Sequence, residues 1–308
     1  MSSQSVSIVA AVMIILATSI GPNINFNINE YPGTHELSEN NPADVVALRQ
    51  CSSLIFVIDA HEQDKDVACN KFFEIMKVAY KVNPQIIFEV FIHKVDPDMY
   101  TQDDQKFDTL NEISMNMRGM LREFGLGSDA LGVDANNIVR LHYNLTSIYD
   151  LTIYQALSQV VQKMLPQVQF ITQLMDNLVK QSQIQKAFLF DVKTKIHIAT
   201  DENPVEIQDY EICSELIDVL IDVSSIYGTN EAGEALKFDD KSSSSIRLHH
   251  PESEQNVMLY LKEVDKSLAL VCLINENKMS KQHLINYNID QFKVGLKQIF
   301  KAYEDAKI

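Results

Sequence analysis

Two short loops in the first half of the chain carry residue types that can read a purine base. One is His93-Lys94-Val95-Asp96; the other is Leu145-Thr146-Ser147-Ile148. A carboxylate at Asp96 accepts two neighbouring hydrogens at once, and guanine presents such a pair on its N1–H and N2–H₂ edge. Adenine does not, so an Asp here confers base specificity. The Lys94 stem can lie along the face of the base with its ammonium in water. Backbone N–H groups in a strand-to-helix turn at 146–148 can point at guanine O6. Each loop also has a plainer reading. Asp and Lys are ordinary in solvated turns, and Thr146 or Ser147 can simply cap the helix that follows.

These loops converge only if the strands before them lie side by side. Ser53 to Ala60, SLIFVIDA, is a short continuous apolar run, the pattern of a parallel strand covered on both faces. Ile86 to Ile92, IIFEVFI, is a second, and Ile138 to Leu145 a third. Between them lie helical patterns. Residues 66–80 place Phe72, Ile75, Met76 and Ala79 on one face and stop at Asn83-Pro84. Residues 107–124 place Leu110, Ile113, Met117, Met120, Leu121 and Phe124 inward and end at Gly125 and Gly127. A helix with Ile153, Leu157, Val160, Val161 and Met164 follows the third strand and stops near Pro166. Alternating strands and helices specify a three-layer α/β domain, whose ligand lies beyond the carboxyl ends of the strands. The loops after Ile58, Ile92 and Leu145 are therefore the expected site.

The front of the chain is less regular. Residues 6–20, VSIVAAVMIILATSI, are nearly all apolar. The run is too short for an ordinary membrane-spanning helix, and the first Lys or Arg is Arg49, so it lacks the basic start of a secretion signal. It is expected as a buried strand or helix of the first domain. Ile24, Phe26 and Ile28 then alternate in a half-buried strand that ends at Pro32-Gly33, and residues 34–48 show little pattern.

Beyond residue 166 the pattern changes. Residues 167–185 read as a helical connector. Ala187–Val192 and Lys195–Thr200 read as strands around a tight turn, and a helix runs from Val205 to Tyr227. After a loop at 229–244 come strands at Ser245–His249, Val257–Val264 and Leu268–Ile274, the last two a hairpin around Asp265-Lys266. A helix covers Ile289 to Tyr303. Two strands, a helix, three strands and a helix form a small α/β sandwich with one sheet face open to another layer.

Composition excludes several classes. The formal net charge is -16, which repels nucleic-acid phosphates and anionic lipid. Four cysteines without CxxC spacing read as free thiols of a reducing compartment, and no Cys/His cluster has zinc spacing.

The two tetrads resemble the base-reading motifs of small GTPases, with His93 where most have Asn, and HKVD in this form is characteristic of the Rag GTPases of the C/D type. FEVFIHKVD (88–96), LTSIYD (145–150), KAFLFDV (186–192), IHIATD (196–201) and LYLKEVDKSLALVC (259–272) agree, so the resemblance runs from near Phe26 almost to the end. It implies a P-loop-NTPase-like (small GTPase) domain at 1–166, incomplete at its N-terminus. It further implies that 186–308 is a roadblock/longin-like α/β dimerisation domain. The implied ligand is GTP or GDP, held by His93, Lys94, Asp96, Thr146, Ser147 and Ile148. The implied partners are a RagA/RagB-like subunit, a lysosomal scaffold complex and the target-of-rapamycin kinase complex. The implied place is the cytoplasm and the lysosomal or vacuolar surface, without lipid anchor or membrane insertion; the chain shows no prenylation box.

The front end departs from this family. A phosphate loop needs GxxxxGK[ST], yet no Gly precedes Gly21 and no Lys precedes Lys65. Where the family has Asp followed two residues on by Pro-Gly, this chain has Glu30-Tyr31-Pro32-Gly33, a switch II remnant of Glu30 and Gly33. Glu30 can still reach a magnesium ion through water, its longer stem changing the geometry, and Thr34 stands where the family has the Gln that orients the attacking water. No catalytic or metal-ligating residue is assigned. A regulatory heterodimer subunit, an active GTPase and a nucleotide-free adaptor all stay open.

Overall fold

The computed structural model describes residues 11–19, 25–62, 64–123, 139–227, 243–248, 256–265 and 268–306. Residues 6–10 and 20 of the apolar front segment, the 124–127 helix end, the start of the third strand at Ile138 and residues 229–242 lie outside these. So do His249 and Lys266. The chain divides into two compact units, one holding 25–156 with most of the first strand and the other holding 157–308.

In the first unit, strand β3 (Ser53–Asp59) has Leu54, Ile55, Phe56 and Ile58 fully buried, as its unbroken apolar run demands. It pairs in parallel with β4 (Ile87–His93), which pairs in parallel with β5 (Leu141–Thr146). Helix α2 (Lys65–Val82) is capped at its start by the Asp64 side chain, which accepts from the Val67 N–H at 3.3 Å. Its buried face includes Phe72, Ile75, Met76 and Ala79. Helix α3 (Asp103–Glu123) starts a turn before the expected Phe107, because Asp103 and Asp104 suit the positive end of a helix. Helix α4 (Thr152–Met164) follows β5.

The apolar front segment is a strand, β1 (Ala11–Ser19). It sits beside β3 in the sheet order β2-β1-β3-β4-β5, with β2 at Asn25–Tyr31. Its direction is antiparallel to β3, with Ala11 opposite Val57 and Ile15 opposite Ser53. Five residues separate β1 from β2. A link that short joins antiparallel neighbours, so β2 runs parallel to β3. Residues 34–48, expected without pattern, contain a helix, α1 (Pro42–Gln50), capped by Asn41. Its inward residues are Leu48 and Asp44, and the buried Asp44 carboxylate accepts from the Ser38 N–H at 3.1 Å and bonds His35 at 3.2 Å.

The second unit is an antiparallel sheet, β7-β6-β10-β9-β8. Its strands are β6 (Lys186–Asp191), β7 (His197–Thr200), β8 (Ser243–Leu248), β9 (Val257–Asp265) and β10 (Leu268–Asn275). Register places Tyr260, Cys272 and Ala187 on one face, and Leu261, Val271 and Phe188 on the other. Helix α6 (Ile207–Tyr227) covers the Phe188 face, where Tyr210 meets Phe188, Phe190 and His197. The other face carries α7 (Gln282–Ala306), whose Asn286 accepts from the Tyr260 hydroxyl at 2.7 Å and whose Asp290 meets Lys262 at 2.8 Å. The expected open face is therefore covered on both sides, since both faces of the sheet are apolar. The expected connector is helix α5 (Val168–Ser182), which packs against α7. Gly295 allows a close approach, because a Cβ there would meet the Leu174 side chain at 3.0 Å.

Candidate functional site

The carboxyl ends of β3, β4 and β5 are in register, so that Asp59, His93 and Thr146 stand side by side. Backbone bonds lace the loops that follow. The Ala60 N–H donates to the His93 carbonyl at 2.8 Å, and the Val95 N–H donates to the Thr146 carbonyl at 3.2 Å. Val95 is buried, which anchors the tetrad and leaves Lys94 and Asp96 toward the rim. Lys94 adopts a left-handed backbone with φ 66°, a conformation that costs a non-glycine residue about 1–2 kcal/mol and persists only where its surroundings hold it.

The side chains make a connected set. Ser147 donates its hydroxyl to Asp96 Oδ1 at 2.6 Å, and the Tyr149 N–H donates to the same hydroxyl oxygen at 3.0 Å. His93 Nδ1 lies 3.0 Å from Thr146 Oγ1. Burial holds the His93 pKa below its ordinary value, so its ring is neutral at neutral pH. Lys94 Nζ meets Asp59 Oδ2 at 2.5 Å. Burial pushes the Asp59 carboxyl up, but the Lys94 hydrogen bond, the His61 N–H and the Lys94 charge together bring it below its ordinary value. The Lys94 ammonium is raised by the same bond.

The second loop does not use Thr146 or Ser147 as a helix cap. The Asp150 side chain accepts from the Thr152 N–H at 3.2 Å, at the first residue of α4, and Thr152 Oγ1 accepts from the Ser147 N–H at 2.7 Å. Thr146 and Ser147 thus serve the strand ends and the tetrad. Ile148 is 62% exposed. Asp59, Asp150 and Thr152 were not among the expected site residues. The one signal for Asp59 was its place at the end of SLIFVIDA; nothing in the sequence linked it to Lys94.

Glu30 is exposed at the end of β2, and Gly33 lies in the turn that the His35 N–H closes onto the Pro32 carbonyl at 2.8 Å. The direction of β2 puts both on the same sheet edge as Asp59. Among the described residues no group of three or more His, Cys, Asp or Glu is arranged to hold a metal ion. The residues present fit a guanine base through an oriented carboxylate and a lysine stem, while the Ser147 N–H of the turn already donates to Thr152 Oγ1. They do not fit a triphosphate with magnesium. Because β1 runs antiparallel to β3, its carboxyl end lies at the edge opposite the tetrads.

A family model described as the Gtr1/RagA G protein conserved region matches residues 8–217. The chain belongs to the Gtr1/RagA family. Ras-related GTP-binding protein C of Mus musculus and of Homo sapiens are each 39% identical over 279 residues, covering 91% of this chain and 65% of theirs. GTP-binding protein gtr2 of Schizosaccharomyces pombe is 35% identical over 280 residues, covering 90% of this chain and 83% of its own. This Gtr1/RagA-family chain therefore spans 65% of the length of the mammalian relatives it matches. Among solved structures, Myxococcus xanthus MglB covers 45% of the chain at 16% identity with a TM-score of 0.32. The family member's architecture is a small-GTPase-like α/β domain followed by a second unit built on a five-stranded antiparallel sheet. Among its described residues no helix is long and apolar enough to cross a membrane.

Proposed function

We propose that this chain is the C/D-type subunit of a Rag-like heterodimer, and that it regulates rather than catalyses. Its partner is a RagA/RagB-like subunit. The pair acts from the cytoplasm at the lysosomal or vacuolar surface, held by a scaffold complex, and relays amino-acid supply to the target-of-rapamycin kinase complex. The observation that carries the reading is the Ser147–Asp96 bond at the laced ends of three parallel strands, in a chain 39% identical to Ras-related GTP-binding protein C.

Pairing is supported by the second unit. Helix α6 leaves Val219, Val223 and Ile226 exposed at helical spacing, and β8, at one end of the sheet order, has no buried residue. A stable pair buries about 1,200 Å² or more. The guanine-reading loops support selectivity for GDP and GTP over adenine nucleotides.

The direction of β1 favours a second reading in one respect: the first unit acts as a nucleotide-free adaptor, with the Asp59–Lys94 pair closing the base loops on themselves. Isothermal titration of GDP, GTP and ADP into the heterodimer, with the partner's site inactivated, separates the two. Guanine-selective binding supports the first; no binding of any nucleotide supports the adaptor. Failure of the two chains to copurify rejects both.

A further inference from the structure

Opposite α6, the outer surface of the second unit holds an open groove of about 340 Å³. Pro166, Gln167 and Phe170 form one wall, and Ile299, Ala302 and Tyr303 of α7 form the other. Apart from the polar tips of Gln167 and Tyr303, the lining side chains are apolar. Gln167 is buried, and neither its side-chain oxygen nor its nitrogen has a hydrogen-bond partner among the described residues. Buried carboxamides idle at both atoms are uncommon in folded proteins. Gln167 stands at the N-cap of α5 but makes no capping bond, and Ser, Thr, Asp or Asn would serve that place better.

Charge around the groove departs from the rest of the molecule. The chain has 42 acidic residues against 26 basic ones. Yet residues 291–303, QFKVGLKQIFKAY, contain no acid and three lysines, and residues 166–175 contain no charge. Lys293 meets Glu263 at 3.2 Å, while Lys297 and Lys301 are exposed one turn apart. The apolar surface continues along α7 through the exposed Val294, Tyr287 and Leu284. From Leu284 to Ala302 that is a strip about 27 Å long at 1.5 Å per residue.

We propose that this groove and strip dock an acidic amphipathic helix of a partner protein. Length and openness suit a helix laid in a groove better than a small ligand, which would leave the outer face of Phe170, 60% exposed, in water. The last carbonyls of a helix have no intrahelical partner and carry partial negative charge. Rotation about the Gln167 side-chain bonds brings its N–H₂ to those carbonyls. Lys297 and Lys301 then face the acidic side of the incoming helix. A membrane surface is the weaker occupant, since two exposed lysines stand against a net charge of -16. The docking face lies across the sheet from α6, and it requires neither nucleotide binding nor dimerisation.

The test uses the full chain and a fluorescein-labelled stapled helix of about 18 residues, with Leu on one face and Glu on the other, matched to the strip. Anisotropy should show saturable binding. Ala302→Arg, which fills the groove from an exposed position, should weaken it at least about tenfold, as should Lys297→Glu with Lys301→Glu. Gln167→Leu should raise the melting temperature, by removing the idle amide, and still weaken binding about threefold or more. Absence of saturable binding, or equal affinity for wild type and Ala302→Arg, overturns the proposal. Cosedimentation with phosphatidylserine vesicles without peptide binding overturns it in favour of a lipid surface.

Discussion

The Ser147 hydroxyl reaches across 51 residues of sequence to hold Asp96 Oδ1 at 2.6 Å. One loop thus sets the direction of the carboxylate that the other presents. That bond engages one oxygen of Asp96 and aims the group. An aimed acceptor is what selective recognition of a two-hydrogen base edge requires.

Asp96→Asn should lower GDP affinity by about 2–4 kcal/mol, because it turns one of the two acceptors into a donor facing a guanine donor and changes the partner of Ser147. Xanthosine diphosphate, whose C2 oxygen accepts where guanine donates, should gain relative to GDP. Competition binding among GDP, inosine diphosphate and xanthosine diphosphate reads this out. Equal binding of all three by both wild type and variant would remove the role of Asp96.

Hydrolysis of GTP by residues 1–308 should stay at the no-protein background. Phosphoryl transfer depends on charge and positioning around the transferring group, and the sequence holds no GxxxxGK[ST] cradle to supply them. Single-turnover hydrolysis by a heterodimer with an inactivated partner is the measurement. Turnover well above background would reveal a phosphate site built from other residues.

Acid should destabilise the second unit through His197. Its ring is buried among Phe188, Phe190 and Tyr210, and burial, with the charge of Lys186, depresses its pKa to about 4. The folded state therefore holds the neutral ring while the unfolded chain takes up a proton near the ordinary value of 6.5. Stability from this group is full above pH 6.5 and is lost as pH falls toward 4, by up to roughly 3 kcal/mol. His197→Phe should flatten that loss in urea denaturation at pH 7 and pH 4.5. An unchanged difference between the two pH values would show that other groups dominate.

Val223→Asp on α6 should weaken pairing with an A/B-type subunit by more than about tenfold, since it buries a charge in an apolar contact. Val223 is exposed in the single chain, so the variant's own melting temperature should change little. Analytical ultracentrifugation of the two chains distinguishes the outcomes, and undiminished pairing would move the interface elsewhere.

Much of the fold was legible because burial writes itself as periodicity. SLIFVID and IIFEVFI are strands covered on both faces, and Asn83 ends α2 with its side chain on the Leu48 and Cys51 carbonyls, at 3.2 and 3.0 Å. Helix α1 was illegible because its inward side is fixed by a polar anchor, Asp44, and it leaves Val46 exposed. Helix α7 begins at Gln282, earlier than Ile289, because its first turns bury only Ile285. At the site, the two tetrads announced themselves by residue type and by their place after buried strands. The Asp59–Lys94 pair did not, since 35 residues separate its members and neither type is unusual there. The direction of β1 was equally hidden, because an apolar strand reads the same both ways.

That strand also has a consequence for solubility. Without β1, the outer side of SLIFVID would offer a row of unpaired amides and carbonyls on a flat apolar strand, the kind of surface that recruits other chains. β1 seals it with Val12, Ile14 and Ile15 buried. A shortened chain that begins after residue 20 should accordingly aggregate when expressed, even though every residue of the 93–96 and 145–148 loops would still be present.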